Sequence, residues 1–309
     1  MKYILCTLMI FVVLAIPADA PAGDKVTVVA SLPTLKSIAE LVGGDKVDAF
    51  AIATGYQNPH FVDPKPSFIM KLSRADLFIT SGLDLETGWV PSLLQSSRNG
   101  NIQPGGDGYV DASAGIALLQ VPSSSDRAQG DIHVYGNPHY WMDPLRGKKI
   151  AKNIYEKLVK ISPENREYFN ANLKRFEEEI DKKTAEWVKK LSSLRGVPVI
   201  AYHNEWPYME ERFGFTIEDF LEPKPGIPPT PSQLMKVISS VKSKKIPIII
   251  TSPYFTLDAA ELVSRQTGGI QVAVLATSVG AFDGVNNFYD LFDYNVGVLL
   301  KALSPASAH

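Results

Sequence analysis

The feature that most constrains the fold of this chain is a run of 31 residues, 164–194, that contains neither glycine nor proline. Such a run predicts one long helix, because no residue in it breaks or kinks an α-helical backbone. With a rise of about 1.5 Å per residue, this helix would be about 45 Å long. A compact domain seldom devotes that length to a single helix, so we expect a rigid spine between two domains.

Strand-like and helix-like patterns alternate on both sides of this run. Short apolar segments rich in β-branched residues predict buried strands, and amphipathic segments predict helices between them. Such alternation is typical of the α/β class, in which helices cover both faces of a parallel sheet. We therefore predict two similar α/β lobes. The predicted strands are 25–31, 47–53, 76–82, 108–113, 197–203, 246–252 and 270–276. The predicted helices are 33–43, 66–75, 85–95, 144–161, 206–214, 230–244, 257–268 and 286–303, together with the long run.

Length and composition agree with this organisation. The chain has 309 residues, of which 45% are apolar and 21% are charged, and this is enough for two folded domains. The net charge of −2 and the absence of a basic patch argue against a nucleic-acid partner. We expect a signal peptide at 1–22, an N-terminal α/β lobe at 23–145, a helical region with the linking helix at 146–195, and a C-terminal α/β lobe at 196–309.

The first 22 residues have the pattern of a secretory signal peptide. Lys2 precedes an apolar run too short to span a bilayer comfortably, and small residues up to Ala22 offer a cleavage site. Cys6, the only cysteine, precedes most of the apolar run, whereas a lipid-acceptor cysteine would follow it. We therefore predict cleavage after Ala22 and a periplasmic or otherwise extracytoplasmic protein. The mature chain would hold no thiol, which excludes disulfides and thiolate metal sites.

Two of the five histidines occur in matched motifs. His60 and His139 each follow Asn-Pro and precede an Asp-Pro pair. Because proline restricts both its own backbone and that of the preceding residue, both histidines are predicted to lie on stiff loops. An aspartate of each motif is expected to accept one ring N–H, which leaves the other nitrogen available for a metal. His203 ends a predicted strand, where α/β proteins commonly bind ligands.

Three histidines in such positions predict a metal site. Neutral imidazole suits Zn²⁺ and other transition metals, and a four-coordinate site requires one further ligand. Since the mature chain lacks thiols, we expect a carboxylate in that place. The aromatic residues of the same motifs are expected to line the site and exclude water; they are Trp141, Trp206, Tyr208 and Tyr254.

These motifs resemble those of the zinc and manganese ABC-transporter substrate-binding proteins. The resemblance covers nearly the whole mature chain and is carried by segments 54–89, 136–144, 199–215, 222–238 and 289–299. It implies two α/β lobes joined by a long rigid helix, with the metal held between them by His60, His139 and His203. It also implies that the chain captures Zn²⁺, or else Mn²⁺ or Fe²⁺, as cargo and delivers it to a membrane ABC permease. We expect a monomer.

The fourth ligand departs from the family pattern. Where the family usually has an aspartate in the loop after the last strand, this chain has Thr277, and a neutral hydroxyl is a poor ligand for a divalent ion. Asp283 in the same loop is the first candidate for the missing carboxylate. Glu205, two residues beyond His203, is the second, and water could also complete the shell.

His133, six residues before His139, has no single interpretation from sequence. Zinc receptors of this family often carry a long loop rich in histidine and acidic residues at this place, and here the loop is short. His133 is therefore a remnant of such a loop, a group next to the ligands, or a plain surface residue. The sequence leaves these three alternatives open.

A zinc-dependent hydrolytic enzyme is the main alternative function. Three histidines with an open fourth position are typical of catalytic zinc, and Glu205 would then act as the base. The chain-wide resemblance to transport receptors and the lack of a substrate-orienting motif favour a receptor that is not an enzyme. A receptor for a larger ligand, such as a metal chelate or cobalamin, is disfavoured because clustered histidines suit a bare ion.

Overall fold

The computed structural model describes residues 25–123 and 133–303. The predicted signal peptide at 1–22 lies outside these residues. None of the helices in the two described ranges is both long enough and apolar enough to cross a membrane.

The first half of the chain forms a four-stranded parallel sheet. Its strands lie side by side in the order β2-β1-β3-β4, and β1 pairs in register with both neighbours. Three helices connect the strands, and each has a proline in its first turn, where no backbone N–H is needed. The strands are β1 (Val26–Ala30), β2 (Val47–Ala51), β3 (Leu77–Thr80) and β4 (Tyr109–Asp111), and the helices are α1 (Pro33–Gly43), α2 (Pro66–Ser73) and α3 (Val90–Ser97).

The second half repeats this topology. Its sheet is again parallel, in the order β6-β5-β7-β8. In each half, the second strand along the chain lies at the edge of the sheet and the first strand lies next to it. The predicted α/β class and the two similar sheets are confirmed. The strands are β5 (Pro198–Ala201), β6 (Thr216–Phe220), β7 (Ile248–Thr251) and β8 (Gln271–Val274), and the helices are α6 (Pro207–Phe213), α7 (Pro231–Lys244), α8 (Asp258–Gln266) and α9 (Phe288–Leu303).

Strand β6 was not predicted from the sequence. It is an edge strand that pairs only with β5, and its middle residues are the acidic Glu218 and Asp219. Most of its residues are half-buried or exposed, so its sequence lacks the apolar run that marks the central strands. Charged residues are common in edge strands because they hinder pairing with other chains.

The long helix is shorter than predicted and packs closely on the rest of the molecule. Helix α4 (Arg146–Ile161) precedes it, and α5 itself is 25 residues, Arg166–Lys190, or about 37 Å. The predicted run was longer because it also included parts of single 3₁₀ turns, which precede and follow the α-helix. Asn172 Nδ2 donates to Val42 O in α1 at 2.9 Å, and Trp187 Nε1 donates to Asp293 Oδ1 in α9 at 2.7 Å. Helix α5 therefore connects both halves through its buried side.

One large apolar cluster extends through both halves, and a second, smaller cluster lies within the second half. Buried residues of both sheets and of helices α1, α4, α5 and α9 belong to the large cluster. Helix α9, the last element, begins against the first half, where Ser37 Oγ accepts a hydrogen bond from Phe288 N at 3.0 Å. All three motif histidines lie on segments that follow strands, His60 after β2, His139 after β4 and His203 after β5.

Candidate metal centre

The three motif histidines meet at one place between the two halves. One possible ligand atom from each of His60, His139 and His203 lies within 4.8 Å of the other two. Among residues 25–123 and 133–303, no other group of three or more histidine, cysteine or acidic side chains is close enough to share an ion. His139 and His203 are buried, and His60 is half-buried. The sequence prediction that these three lie together agrees with this geometry.

Asparagine, not aspartate, holds the first two imidazoles. Asn58 Oδ1 lies 2.8 Å from His60 Nδ1 and also accepts the His60 backbone N–H at 3.0 Å. Asn137 Oδ1 does the same for His139, with both distances 3.0 Å. The prediction that the aspartates of the motifs brace the histidines was wrong, because the residue two positions before each histidine already reaches both of its N–H groups.

The aspartate that follows His139 has a different structural role. Asp143 is buried and accepts charge-assisted hydrogen bonds from Arg146 Nη1 at 2.6 Å and from Arg212 Nε at 2.7 Å. Arg212 belongs to α6 of the second half, and this pairing raises the pKa of its guanidinium. Asp143 therefore fixes the His139 loop to the second half. Asp63, in the matching motif of His60, is exposed.

His203 is held by a carboxylate that sequence reasoning missed. Glu222 Oε2 lies 2.6 Å from His203 Nδ1, and both side chains are buried. Glu222 comes two residues after β6, the strand that was not predicted, and so its place beside His203 could not be inferred. Had β6 been predicted beside the strand that precedes His203, an acidic residue just after β6 would have indicated a carboxylate close to His203.

These hydrogen bonds select the tautomer of each imidazole. Because an amide or carboxylate oxygen only accepts, Nδ1 carries a proton in all three histidines, and in the neutral form of each ring Nε2 presents its lone pair. Within the described chain, His139 Nε2 is buried without any hydrogen-bond partner. Burial, reinforced by the neighbouring imidazoles, lowers the pKa of His60 and His139 well below 6.5. Both rings are therefore neutral near pH 7, as a metal ligand must be.

The structure does not bring either expected carboxylate into the histidine cluster. Asp283 is exposed. Glu205 is buried beside the cluster, but its oxygens accept hydrogen bonds from Ser252 Oγ and Tyr254 OH. Burial raises the pKa of Glu205. Thr277 is buried near them, and its carbonyl oxygen accepts from Trp141 Nε1 at 2.8 Å.

His133 lies directly against the cluster. Its Nε2 is 3.1 Å from Nε2 of His60, and the two ring centroids are 5.2 Å apart. The alternative of a plain surface residue is therefore wrong.

A cavity of about 190 Å³ lies beside His60 and His203 and is also lined by Phe61 and Phe255. Of the four aromatic residues expected to line the site, Trp141 is buried with its ring centroid 5.5 Å from that of His139.

Two sheets of equal topology with a cluster of three histidines between them have the architecture of a metal-binding protein. The sequence model of the family described as "Zinc-uptake complex component A periplasmic" matches residues 28–302. The chain belongs to that family.

Individual proteins are similar to this chain in sequence or in fold. The chain is 26% identical over 293 residues to the manganese ABC transporter substrate-binding lipoprotein PsaA of Streptococcus anginosus, covering 93% of this chain and 92% of PsaA. Its fold is similar to a crystal structure of ZnuA, with a TM-score of 0.77, 23% identity, and coverage of 90% of this chain and 99% of the other. A cadmium-bound periplasmic metal-binding protein from Candidatus Liberibacter asiaticus has a TM-score of 0.74, with 20% identity and coverage of 90% and 99%. The alternative of a hydrolytic enzyme finds no support among them.

Proposed function

We propose that this chain captures Zn²⁺ outside the cytoplasm, through His60, His139 and His203, and delivers it to a membrane ABC permease. The observation that carries the proposal is the buried, unpartnered Nε2 of His139 at the centre of the described histidine cluster. A buried polar atom without a partner is costly, and a bound cation would satisfy it. Neither catalytic turnover nor a resident cofactor is needed for this role.

The donor set favours zinc over manganese. Imidazole suits Zn²⁺, whereas Mn²⁺ prefers carboxylate, carbonyl and water oxygens and binds such sites more weakly in general. The three histidines are neutral donors, and neither Asp283 nor Glu205 is directed into the cluster. By their names, PsaA is a manganese protein and ZnuA a component of zinc uptake, so proteins similar to this chain are associated with both ions. The choice between Zn²⁺ and Mn²⁺ in this chain is therefore proposed from its own residues.

Export and lobe movement follow from the same role. A receptor of this kind must lie outside the cytoplasmic membrane, and the segment 1–22, cleaved after Ala22, would direct its export. If the lobes end at residue 145 and begin again at residue 196, helix α5 lies between them. This helix and the apolar cluster that both halves share would then restrict hinge motion of one lobe against the other. Release to the permease would then require small shifts of the loops that carry the histidines.

Isothermal titration calorimetry on the metal-free protein tests the proposal. Zn²⁺ should bind with a stoichiometry of one and a Kd below micromolar, and Mn²⁺ at least tenfold more weakly. His139→Ala should abolish tight zinc binding. Tyr56→Ala, a change of an exposed aromatic residue in the His60 loop, is the matched control and should bind zinc as the wild type does. Tight zinc binding that survives His139→Ala would overturn the proposal.

A further inference from the structure

Asn137 makes hydrogen bonds to both halves of the molecule through a single side-chain amide. Its Oδ1 accepts the backbone N–H and the Nδ1–H of His139, both at 3.0 Å. Its Nδ2 donates to the backbone carbonyl oxygen of Asn204 at 2.8 Å. Asn204 follows His203 directly in the chain. One amide therefore joins a histidine of the first half to the backbone beside a histidine of the second half.

The partners of this amide fix its orientation. A backbone N–H can only donate and a backbone carbonyl oxygen can only accept, so Oδ1 faces His139 and Nδ2 faces Asn204. The flipped orientation would satisfy neither partner. Because resonance keeps an amide planar, its donor and its acceptor are held at a fixed distance from each other.

The second half also holds the backbone of Asn137. The buried Tyr208 in α6 donates its hydroxyl hydrogen to Asn137 O at 2.7 Å and accepts a hydrogen bond from Leu119 N at 3.1 Å. Asn137 is itself buried, which strengthens its hydrogen bonds relative to bonds exposed to water. Its side chain and its backbone are therefore both attached to segment 204–208 of the second half.

The matching amide of the first motif lacks this link. Among residues 25–123 and 133–303, the side chain of Asn58 hydrogen-bonds only with His60. Asn58 and Asn137 therefore act alike as acceptors for a histidine, and they differ in that only Asn137 donates to the second half.

We propose that Asn137 is a positioning residue that couples His139 to the segment after His203, so that zinc affinity depends on contact between the halves at this amide. This inference rests on the zinc-receptor function. A separation of the halves by about 1 Å at Asn204 would lengthen the 2.8 Å contact beyond hydrogen-bond range. The amide would then rotate, and His139 would lose the acceptor that directs its Nε2 at the ion. Release of zinc would begin with the loss of this bond.

Stopped-flow measurement of zinc dissociation from the loaded full-length protein, with a chromogenic chelator in excess, tests this inference. Asn137→Asp keeps the acceptor for His139 and replaces the donor to Asn204 O by a second oxygen. Asn58→Asp makes the same chemical change and adds the same charge without removing a bond to the second half. The dissociation rate constant should be at least tenfold higher in Asn137→Asp than in Asn58→Asp, since partners behind a ligand contribute about 10–100-fold. Tyr135→Ala, a change of an exposed residue in the same loop, is the control and should release zinc as the wild type does.

A measurement on the wild type decides the question if Asn137→Asp does not fold. By reciprocity, a bond that strengthens zinc binding is itself strengthened when zinc binds. Deuterium exchange of the Asn137 Nδ2 protons, followed by NMR, should therefore be at least tenfold slower in the zinc-loaded protein than in the metal-free protein. Equal exchange in the two forms would overturn the inference.

The comparison of the two aspartate variants separates positioning from a purely structural role. A residue that only stabilised the fold would lower the free energy of unfolding and leave the two variants with equal dissociation rate constants, and that result would overturn the inference. Failure of the zinc-receptor function has a different signature, in which His139→Ala binds zinc as tightly as the wild type.

Discussion

At the scale of single residues, Asn58 and Asn137 each accept two hydrogen bonds from the histidine two positions ahead. One bond comes from the backbone N–H and the other from Nδ1–H of the ring. This double contact fixes the orientation of the ring and directs Nε2 at the cluster. An amide oxygen achieves this without placing a charge beside the ion.

Replacing the first of these amides should weaken zinc binding without removing a ligand. Asn58→Ala removes the acceptor for His60 Nδ1–H, and we expect the Kd for Zn²⁺ to rise about 10–100-fold. Asn58→Asp keeps an acceptor of the same length and should stay close to the wild type. Competition with a chromogenic chelator measures both. Equal Kd values for the alanine variant and the wild type would contradict the role assigned to Asn58.

The depressed pKa values of His60 and His139 predict a loss of stability in mild acid. In the unfolded chain these rings titrate near 6.5, and in the metal-free folded protein they titrate at lower pH because they are buried. Below about pH 6.5 the unfolded state therefore binds more protons, and the free energy of unfolding falls as the pH falls. Urea denaturation of the metal-free protein between pH 7.5 and 5 should show this decline. In His139→Gln, which cannot be protonated at this position, the decline should be shallower, and an identical slope would refute the explanation.

Glu205 is expected to stabilise the fold and not to bind the metal. Burial raises its pKa, and it accepts hydrogen bonds from Ser252 and Tyr254. Glu205→Gln should therefore keep the Kd for Zn²⁺ within about threefold of the wild type. Glu205→Ala leaves buried hydroxyls without an acceptor and should lower the free energy of unfolding by about 1–3 kcal/mol. A large loss of zinc affinity in the glutamine variant would show that the carboxylate is a ligand after all.

At the scale of elements, the loop after β2 and the loop after β8 touch through their backbones. A Cβ atom on Gly55 would lie 2.2 Å from the carbonyl carbon of Gly280 and 2.3 Å from Val279 O. Only glycine permits this approach. The contact connects the loop that carries His60 to the loop that carries Thr277.

Gly55→Ala should force these two loops apart. We expect the free energy of unfolding to fall by about 1–3 kcal/mol, as for other overpacked sites, and zinc affinity to fall with it because His60 shifts. Gly297→Ala in α9, where an added Cβ meets no atom within 4 Å, is the matched control. Thermal denaturation followed by circular dichroism measures the first effect. Equal stability of the Gly55 and Gly297 variants would contradict the contact.

The sequence was informative about elements with strong apolar patterns and about histidines in rigid motifs. Helix α1 was predicted with its observed bounds, and the three clustered histidines follow from Asn-Pro-His motifs and a strand end. It was uninformative where the pattern is weak, as in the acidic edge strand β6, and Glu222 was missed with it. Contacts between distant segments, such as His133 with His60, could not be predicted because short-range spacing carries no information about them.

At the scale of the whole molecule, two sheets of equal topology share a large apolar cluster and one histidine cluster. The halves are joined at several places. These are the hydrogen bonds from two arginines to Asp143, the backbone contact at Gly55, and the packing of helices α5 and α9. A molecule joined in this way suits the capture of a bare ion, which needs a rigid cage of defined radius. Wide domain closure would suit a larger ligand.

Anomalous diffraction at the zinc edge, from crystals of the protein grown with one equivalent of Zn²⁺, tests the central claim most directly. We predict a single strong peak between His60, His139 and His203, about 2.0–2.1 Å from one nitrogen of each ring. A peak elsewhere in the molecule, with none between these three histidines, would contradict it.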